Sequence, residues 1–192
     1  MSSWPEGKKI KAVLASIVKH SPPPSASAIK DICAAAAHDS DKWYKHVVVE
    51  IVRFTNKAPS EHKISALYII DAICKASKKL RHDVYPARFA SASMRFYPAL
   101  FQCPDEDLPK MVRVLKLWEH TGIDAGVADA VECLEKRAPG LWAATVVEPP
   151  GPQTPPGTPP PDCVIGPPGS DPRTLLQARR EGREGESAVG AT

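Results

Sequence analysis

The feature that most constrains the fold is an apolar stripe of helical period, which recurs through residues 8–137 and stops near Gly140. In its first instance the apolar residues fall at i, i+3, i+4, i+7 and i+8, on one helix face. They are Ile10, Val13, Leu14, Ile17 and Val18. No stretch alternates apolar and polar residues as a half-buried strand does. The pattern predicts an all-α fold with short connections. Short connections favour a right-handed array of helical hairpins, although periodicity alone leaves a four-helix bundle open.

Seven helices are predicted, and their approximate bounds are 8–19, 25–36, 41–56, 60–79, 84–101, 105–121 and 124–136. Trp43 is expected to face inward from the third helix. The fourth helix is apolar on most sides, so it is expected at the centre, with Ser60 as its N-terminal cap. The fifth carries Met94 on its apolar face, and Pro98 is expected to kink it or end it early. Gly122 is expected to terminate the sixth.

Proline and glycine divide the chain into two parts. Eleven of the 21 prolines and seven of the 11 glycines lie in residues 141–192. The formal side-chain charge is +5 over residues 1–140 and −2 over residues 141–192. We therefore expect a helical domain over 1–140 and a disordered, Pro/Gly-rich tail over 141–192.

Composition and motifs argue against several classes of protein. No apolar run approaches the ~18–20 residues of a membrane span, and the N-terminal residues lack the apolar region of a signal peptide, so an intracellular chain is expected. Five cysteines without a C-x-x-C pair indicate buried, reduced thiols rather than disulfides or a zinc site. The six histidines are expected at the surface. Phosphate-loop, nucleophile-elbow and H-E-x-x-H motifs are lacking, so neither an enzyme nor a cofactor is predicted.

Two predicted helices each carry a face on which cations lie beside other side chains at spacings of three, four and seven residues. These faces consist of Tyr68, Asp71, Lys75 and Lys78 on the fourth helix, and of Lys110, Arg113 and Leu117 on the sixth. If both bordered one groove, they would suit an extended phosphorylated peptide, because arginine grips phosphate bidentately and a carboxylate accepts from a hydroxyl or amide. On the residues alone, a solvated helix end remains the favoured interpretation of the lysines.

Four segments in register resemble the CTD-interacting domain, which reads the C-terminal heptad repeats of RNA polymerase II. They are Leu67–Ile73 (LYIIDAI), Trp43–Phe54, Val84–Phe89 and Cys103–Trp118. The resemblance covers about residues 5–137 and is closest to the SR-related, CTD-associated factors. It implies a right-handed superhelix of seven or eight helices, related to VHS and ENTH adaptor domains. It also implies a nuclear, non-enzymatic module that couples transcription to mRNA 3′-end processing and termination.

The resemblance implies a ligand and a place for each part of it. The ligand is the heptad Tyr-Ser-Pro-Thr-Ser-Pro-Ser, bound as a β-turn and phosphorylated on its second-position serine. Asp71 would accept a hydrogen bond near the peptide tyrosine, and Tyr68 would shape that end of the groove. Leu117 would line its apolar floor.

The same resemblance assigns the phosphate to Arg113, with Lys110 and Lys75 assisting.

The chain departs from the family pattern at Pro98 and in its first interhelical loop, residues 21–24, a region that can touch the peptide in the family. RNA remains an unsupported partner, because the aromatic and basic pattern of an RNA-recognition motif is lacking.

A second interpretation is an adaptor of the VHS or ENTH kind that binds ubiquitin, sorting peptides or acidic lipid. It is disfavoured because no amphipathic helix precedes Lys8, and no membrane association is expected.

In the tail, Thr154 and Thr158 each precede a proline and are candidates for proline-directed phosphorylation. The proline runs there are candidate ligands of SH3- or WW-type partners, with an inert spacer as the alternative.

Overall fold

The computed structural model describes Trp4, residues 6–80 and residues 84–147, and over these residues it contains helices and no strand. Their α-helices are α1 (Gly7–Ile17), α2 (Ala26–His38), α3 (Tyr44–Lys57), α4 (Lys63–Lys79), α5 (Val84–Ala90), α6 (Tyr97–Leu100), α7 (Leu108–Thr121), α8 (Val127–Arg137) and α9 (Leu141–Ala144). Short 3₁₀ turns at Ser60–His62, Ser93–Arg95 and Asp105–Asp107 precede α4, α6 and α7. The all-α prediction is confirmed. The predictions for residues 148–192 lie outside the described residues.

Helix α4 lies at the centre of the array, as predicted. It packs against α2, α3, α5, α6 and α7, and its Leu67, Ile70 and Ile73 are almost completely buried. Trp118 of α7 is also fully buried. Each large apolar side chain removed from water contributes about 1.5–3 kcal/mol, so this shared core is the main force that orders the helices. Because five helices surround one, the arrangement is a helical array rather than a four-helix bundle.

The predicted fifth helix is in fact two helices, α5 and α6, separated by a 3₁₀ turn. Pro98 does not kink a continuous helix, because the break precedes it. It lies in the first turn of α6, where a missing amide hydrogen costs nothing. Met94, expected in the core, is 51% exposed. Tyr97 is fully buried, and its ring centroid lies 4.4 Å from that of Phe96 and 6.1 Å from that of Phe101.

Lysines of α4 bind main-chain carbonyls at the ends of two neighbouring helices. Ser60, expected to cap α4, lies in the preceding 3₁₀ turn, and its side chain makes no capping hydrogen bond. Lys63 is buried and donates to a carbonyl near the C-terminus of α3 at 2.6 Å. Lys78 donates to the carbonyls of Thr121 and Gly122 at the end of α7. Gly122 has a φ of 64° and terminates α7, as predicted.

Two predictions about burial are wrong, and one is largely confirmed. His62, expected at the surface, is buried immediately before α4. Trp43 precedes α3 instead of facing inward from it, and it is half-buried with its ring edge-on to His46. The thiols of Cys74, Cys103 and Cys133 are buried, whereas Cys33 is half-buried. Burial raises the pKa of all four thiols, which disfavours the reactive thiolate form.

The helical part continues past Gly140 into α9, which the sequence did not predict. Leu141 and Trp142 of α9 pack against the core. The Lys116 ammonium of α7 lies 5.0 Å from the centroid of the Trp142 ring, a cation–π contact that joins α9 to α7. Across the described parts of the chain, the helices are all too short or too polar to cross a bilayer.

Candidate functional site

A groove of about 390 Å³ is formed where the first turns of α4 and α7 meet the loop between α1 and α2. Two of the predicted site residues, Tyr68 and Lys110, line it together. The other residues that line it are Pro22, Pro23, Glu61, Ile64, Pro104, Glu106 and Asp107. Three prolines, an isoleucine and a tyrosine give the groove an apolar, partly aromatic wall, and carboxylates lie along the rest of it.

The groove is acidic overall, which the predicted basic faces did not suggest. Its three carboxylates, those of Glu61, Glu106 and Asp107, face a single ammonium, that of Lys110. Lys110 is itself paired, with its Nζ 2.7 Å from Oδ1 of Asp107. This hydrogen bond raises the pKa of Lys110 above its usual value. The groove therefore favours groups that donate hydrogen bonds over anions.

Asp71 forms one of the polar links between α4 and α7. Its Oδ1 accepts a hydrogen bond of 2.7 Å from the indole Nε1 of Trp118, and its Oδ2 accepts one of 2.8 Å from Nζ of Lys75. An ionised carboxylate offers about four acceptor positions, so two remain after these bonds. The side chain is 16% exposed, which leaves an edge of it within reach of a ligand.

Helices α4 and α7 run side by side in the same direction. Along α4, Tyr68 shares the groove with Lys110, Asp71 binds Trp118, and Lys78 binds the C-terminus of α7. These contacts occur in the same order along both helices. Lys78 shares a face with Asp71, as predicted. Its ammonium is bound to main-chain carbonyls at the end of α7, so it helps to hold α4 against α7.

The remaining two predicted residues lie further along α7 and do not line the groove. Arg113 follows Lys110 by three residues, a rise of about 4.5 Å. It is exposed and makes no hydrogen bond or ion pair with any residue that the structure describes. Leu117, one turn later, is half-buried. The site thus has three parts. An acidic groove lies at the first turns of α4 and α7, the Asp71–Lys75 pair lies further along α4, and the exposed guanidinium of Arg113 lies one turn further along α7.

Sequence reasoning missed several residues of the groove wall. Ile64 precedes Tyr68 by four residues, so the helical period that placed Tyr68 on a face could have included it. Asp107 lies in the acidic 3₁₀ turn that precedes α7, and it also lines the groove. Glu61 lies outside any regular pattern and reaches the groove only through the packing of α4 beside α7. Among the residues placed by the structure, no three His, Cys, Asp or Glu side chains converge as a metal site.

Comparisons with known proteins agree with this architecture. The family model of the CID domain matches residues 8–124, which include α1–α7 except for the first residue of α1. SR-related and CTD-associated factor 8 of Homo sapiens is 34% identical over 119 residues, which are 60% of this chain and 9% of that protein. SR-related and CTD-associated factor 4 of Homo sapiens is 36% identical over 104 residues, which are 53% of this chain and 9% of that protein. The chain thus matches about a tenth of the length of these curated relatives.

Proposed function

Because the chain belongs to the CID domain family, we propose that it is a non-catalytic module that binds the C-terminal heptad repeats of RNA polymerase II. The observation that carries this proposal is the surface along α4 and α7, where an apolar and acidic groove lies one helical turn from the exposed Arg113. The module acts in the nucleus, where that polymerase works. Its ligand is the heptad peptide phosphorylated on its second-position serine.

The groove suits the uncharged part of a heptad. Pro22, Pro23 and Ile64 provide apolar contact for peptide prolines, and Tyr68 provides an aromatic face. The carboxylates of the groove accept hydrogen bonds from peptide hydroxyl and amide groups. Asp71 has acceptor positions left after it binds Trp118 and Lys75, so it receives a hydrogen bond near the peptide tyrosine. Leu117 extends the apolar floor beyond the groove.

The phosphate of the ligand binds outside the groove, on α7. Within the groove it would meet three carboxylates and an ammonium already paired with Asp107. Arg113 has no partner within the described chain, and its planar guanidinium can donate two parallel hydrogen bonds to phosphate oxygens. Lys75 and Lys110 are each about half exposed and assist through longer-range attraction while they keep their carboxylate partners.

In the cell, such a module recruits the rest of its protein to transcribing polymerase. We infer that this recruitment couples transcription to mRNA 3′-end processing and termination. Affinity for a single short peptide is modest, because exposed ion pairs contribute about 1 kcal/mol or less and the peptide loses conformational entropy.

Fluorescence anisotropy with two-heptad peptides tests this function. The peptides are unmodified, phosphorylated on each second-position serine, or phosphorylated on each fifth-position serine. We expect the tightest binding for second-position phosphate. Arg113→Ala should weaken that complex about fivefold, since an exposed ion pair of about 1 kcal/mol corresponds to about a fivefold change in Kd.

Arg95→Ala is the matched control, because Arg95 is equally exposed but lies on the 3₁₀ turn before α6. Circular dichroism should show that both variants keep the helix content of the parent. The proposed role of Arg113 is wrong if its alanine variant distinguishes phosphorylated from unmodified peptide as strongly as the parent chain does. The proposed ligand is wrong if the folded parent chain binds none of the three peptides.

A further inference from the structure

We propose that Ser21 is an acceptor site for a proline-directed protein kinase, and that its phosphate weakens the binding of a phosphorylated peptide to the adjacent groove. In this reaction Oγ of Ser21 attacks the γ-phosphorus of ATP, the bond to the bridging oxygen breaks, ADP leaves, and the hydroxyl proton passes to the base of the kinase. The acceptor site itself is inferred from the structure of the loop between α1 and α2, which contains Ser21. Its effect on binding rests on the function proposed above.

The hydroxyl of Ser21 is accessible. Ser21 lies in the loop between α1 and α2, its side chain is exposed, and it makes no hydrogen bond with any described residue. The full sequence holds three serines or threonines followed by proline, at Ser21, Thr154 and Thr158. Ser21 is the one that lies beside the groove in the part of the chain that the structure describes.

Among the described residues, the main chain around Ser21 makes no hydrogen bond that a kinase would have to break. A residue that precedes proline is restricted to extended conformations, and extended chain is the form in which protein kinases bind the acceptor segment. Residues 22–24 are prolines and have no amide hydrogen to donate. Across residues 21–24, the described structure contains no main-chain hydrogen bond. A kinase can therefore engage this segment without breaking helix α1 or α2.

A phosphate on Ser21 would lie close to the proposed peptide groove. Ser21 lines a second groove, of about 300 Å³, together with His20 and Ser25. Pro23 lines both this groove and the one that holds Tyr68, so the two adjoin at the proline loop. Phosphorylation adds a charge of about −1.5 to −2 at neutral pH. That charge is placed in the groove that adjoins the peptide groove, two residues before the shared Pro23.

The fold accommodates this phosphate, while a phosphorylated ligand is repelled by it. Ser25 and Ala28 of the first turn of α2 line the same groove, and the N-terminus of a helix favours a nearby anion. Lys19 and His20 precede the site and are both exposed. The adjoining groove already carries three carboxylates against one ammonium. Further negative charge there raises the electrostatic cost for an incoming phosphopeptide but leaves the domain folded.

The test begins with phosphorylation of the full chain. A purified proline-directed kinase, active on a Ser-Pro control peptide, is incubated with the chain and ATP, and mass spectrometry locates the phosphate. A background of Thr154→Ala and Thr158→Ala removes the acceptor threonines of the tail. We expect one phosphate, on Ser21, and none when Ser21→Ala is added. Failure to modify Ser21 while the control peptide is phosphorylated would overturn the acceptor site.

Anisotropy then measures the effect on binding of the heptad peptide phosphorylated on its second-position serine. Phosphorylated Ser21 should raise Kd about three- to tenfold in low salt, and less in high salt because charges at this range are screened. A Ser21→Ala chain phosphorylated on its tail threonines controls for added charge elsewhere. Unchanged Kd for the chain phosphorylated on Ser21 overturns the regulatory effect. If the unmodified chain binds no peptide, the proposed function itself is wrong and this effect falls with it, while the mass spectrum still decides the acceptor site.

Discussion

The hydrogen bond between Asp71 and Trp118 makes a quantitative prediction about how α4 and α7 are held together. Trp118 is fully buried, and its indole Nε1 donates to Oδ1 of Asp71 at 2.7 Å. Replacing Asp71 with alanine removes the acceptor and leaves a buried N–H group without a partner. It also removes the exposed ion pair between Asp71 and Lys75.

The two losses differ in size. A buried donor left without a partner costs about 1–3 kcal/mol, whereas an exposed ion pair four residues apart on a helix contributes about 0.3–0.5 kcal/mol. We therefore expect Asp71→Ala to lower the free energy of unfolding by about 2 kcal/mol. Asp71→Asn keeps an oxygen acceptor and should lower the free energy of unfolding by less than about 1 kcal/mol. Lys75→Ala should cost no more than about 0.5 kcal/mol.

Urea denaturation followed by circular dichroism measures these differences. A double-mutant cycle with Trp118→Phe isolates the hydrogen bond, because phenylalanine has no N–H group to leave unsatisfied. Asp71→Ala should then cost about 1–2 kcal/mol less in the Trp118→Phe background than in the parent. If the two substitutions are additive within about 0.3 kcal/mol, the hydrogen bond does not join the helices as described.

Two further predictions concern glycine and pH. Gly140→Ala should lower the free energy of unfolding by about 1 kcal/mol, because its φ is 78° and nothing lies within 4 Å of the added Cβ. Gly126→Ala should lower it by about 1–3 kcal/mol more, because its φ is 81° and the added Cβ would also lie 2.6 Å from Cβ of Ser93. Equal costs in urea denaturation would contradict this account of the contact with Ser93. Burial raises the pKa of the Cys103 thiol from 9.0 to about 11, so the native state holds that proton more tightly than the unfolded state. The free energy of unfolding should therefore fall as pH rises from about 9 to 11. It should fall less steeply in the Cys103→Ala variant. An identical pH slope in both proteins would show that the Cys103 thiol does not cause this dependence.

Local pattern predicted the helices well where one apolar stripe determines what is buried. The stripes of α1, α3 and α7 lie mostly in the core, because each of these helices has one face that can be removed from water. At the end of the α1 stripe Val18 is 36% exposed. The break between α5 and α6 was not predictable in this way. There Ser93 hydrogen-bonds Asp129 and Tyr97 donates to the carbonyl of Ala125, both contacts between residues distant in sequence.

The candidate site was predictable within each helix but not between helices. Spacing predicts that Tyr68 lies beside Asp71, and Lys110 beside Arg113, and these residues do lie within the helices α4 and α7. It could not show that Lys78 binds the end of α7, because that contact depends on how the two helices pack. The acidic character of the groove has the same origin, since its carboxylates come from the turns that precede α4 and α7.

The most direct test of the proposed function is NMR mapping of peptide binding on the isotope-labelled chain. Adding the two-heptad peptide phosphorylated on its second-position serine should shift amide signals of residues 64–75 and 107–117, with the largest difference from the unmodified peptide around Arg113. The indole N–H signal of Trp118 should also move, since it binds Asp71 beside the proposed peptide path. Shifts confined to α1 and α3, or no shifts at all, would contradict the assignment of the α4 and α7 surface as a reader of polymerase repeats.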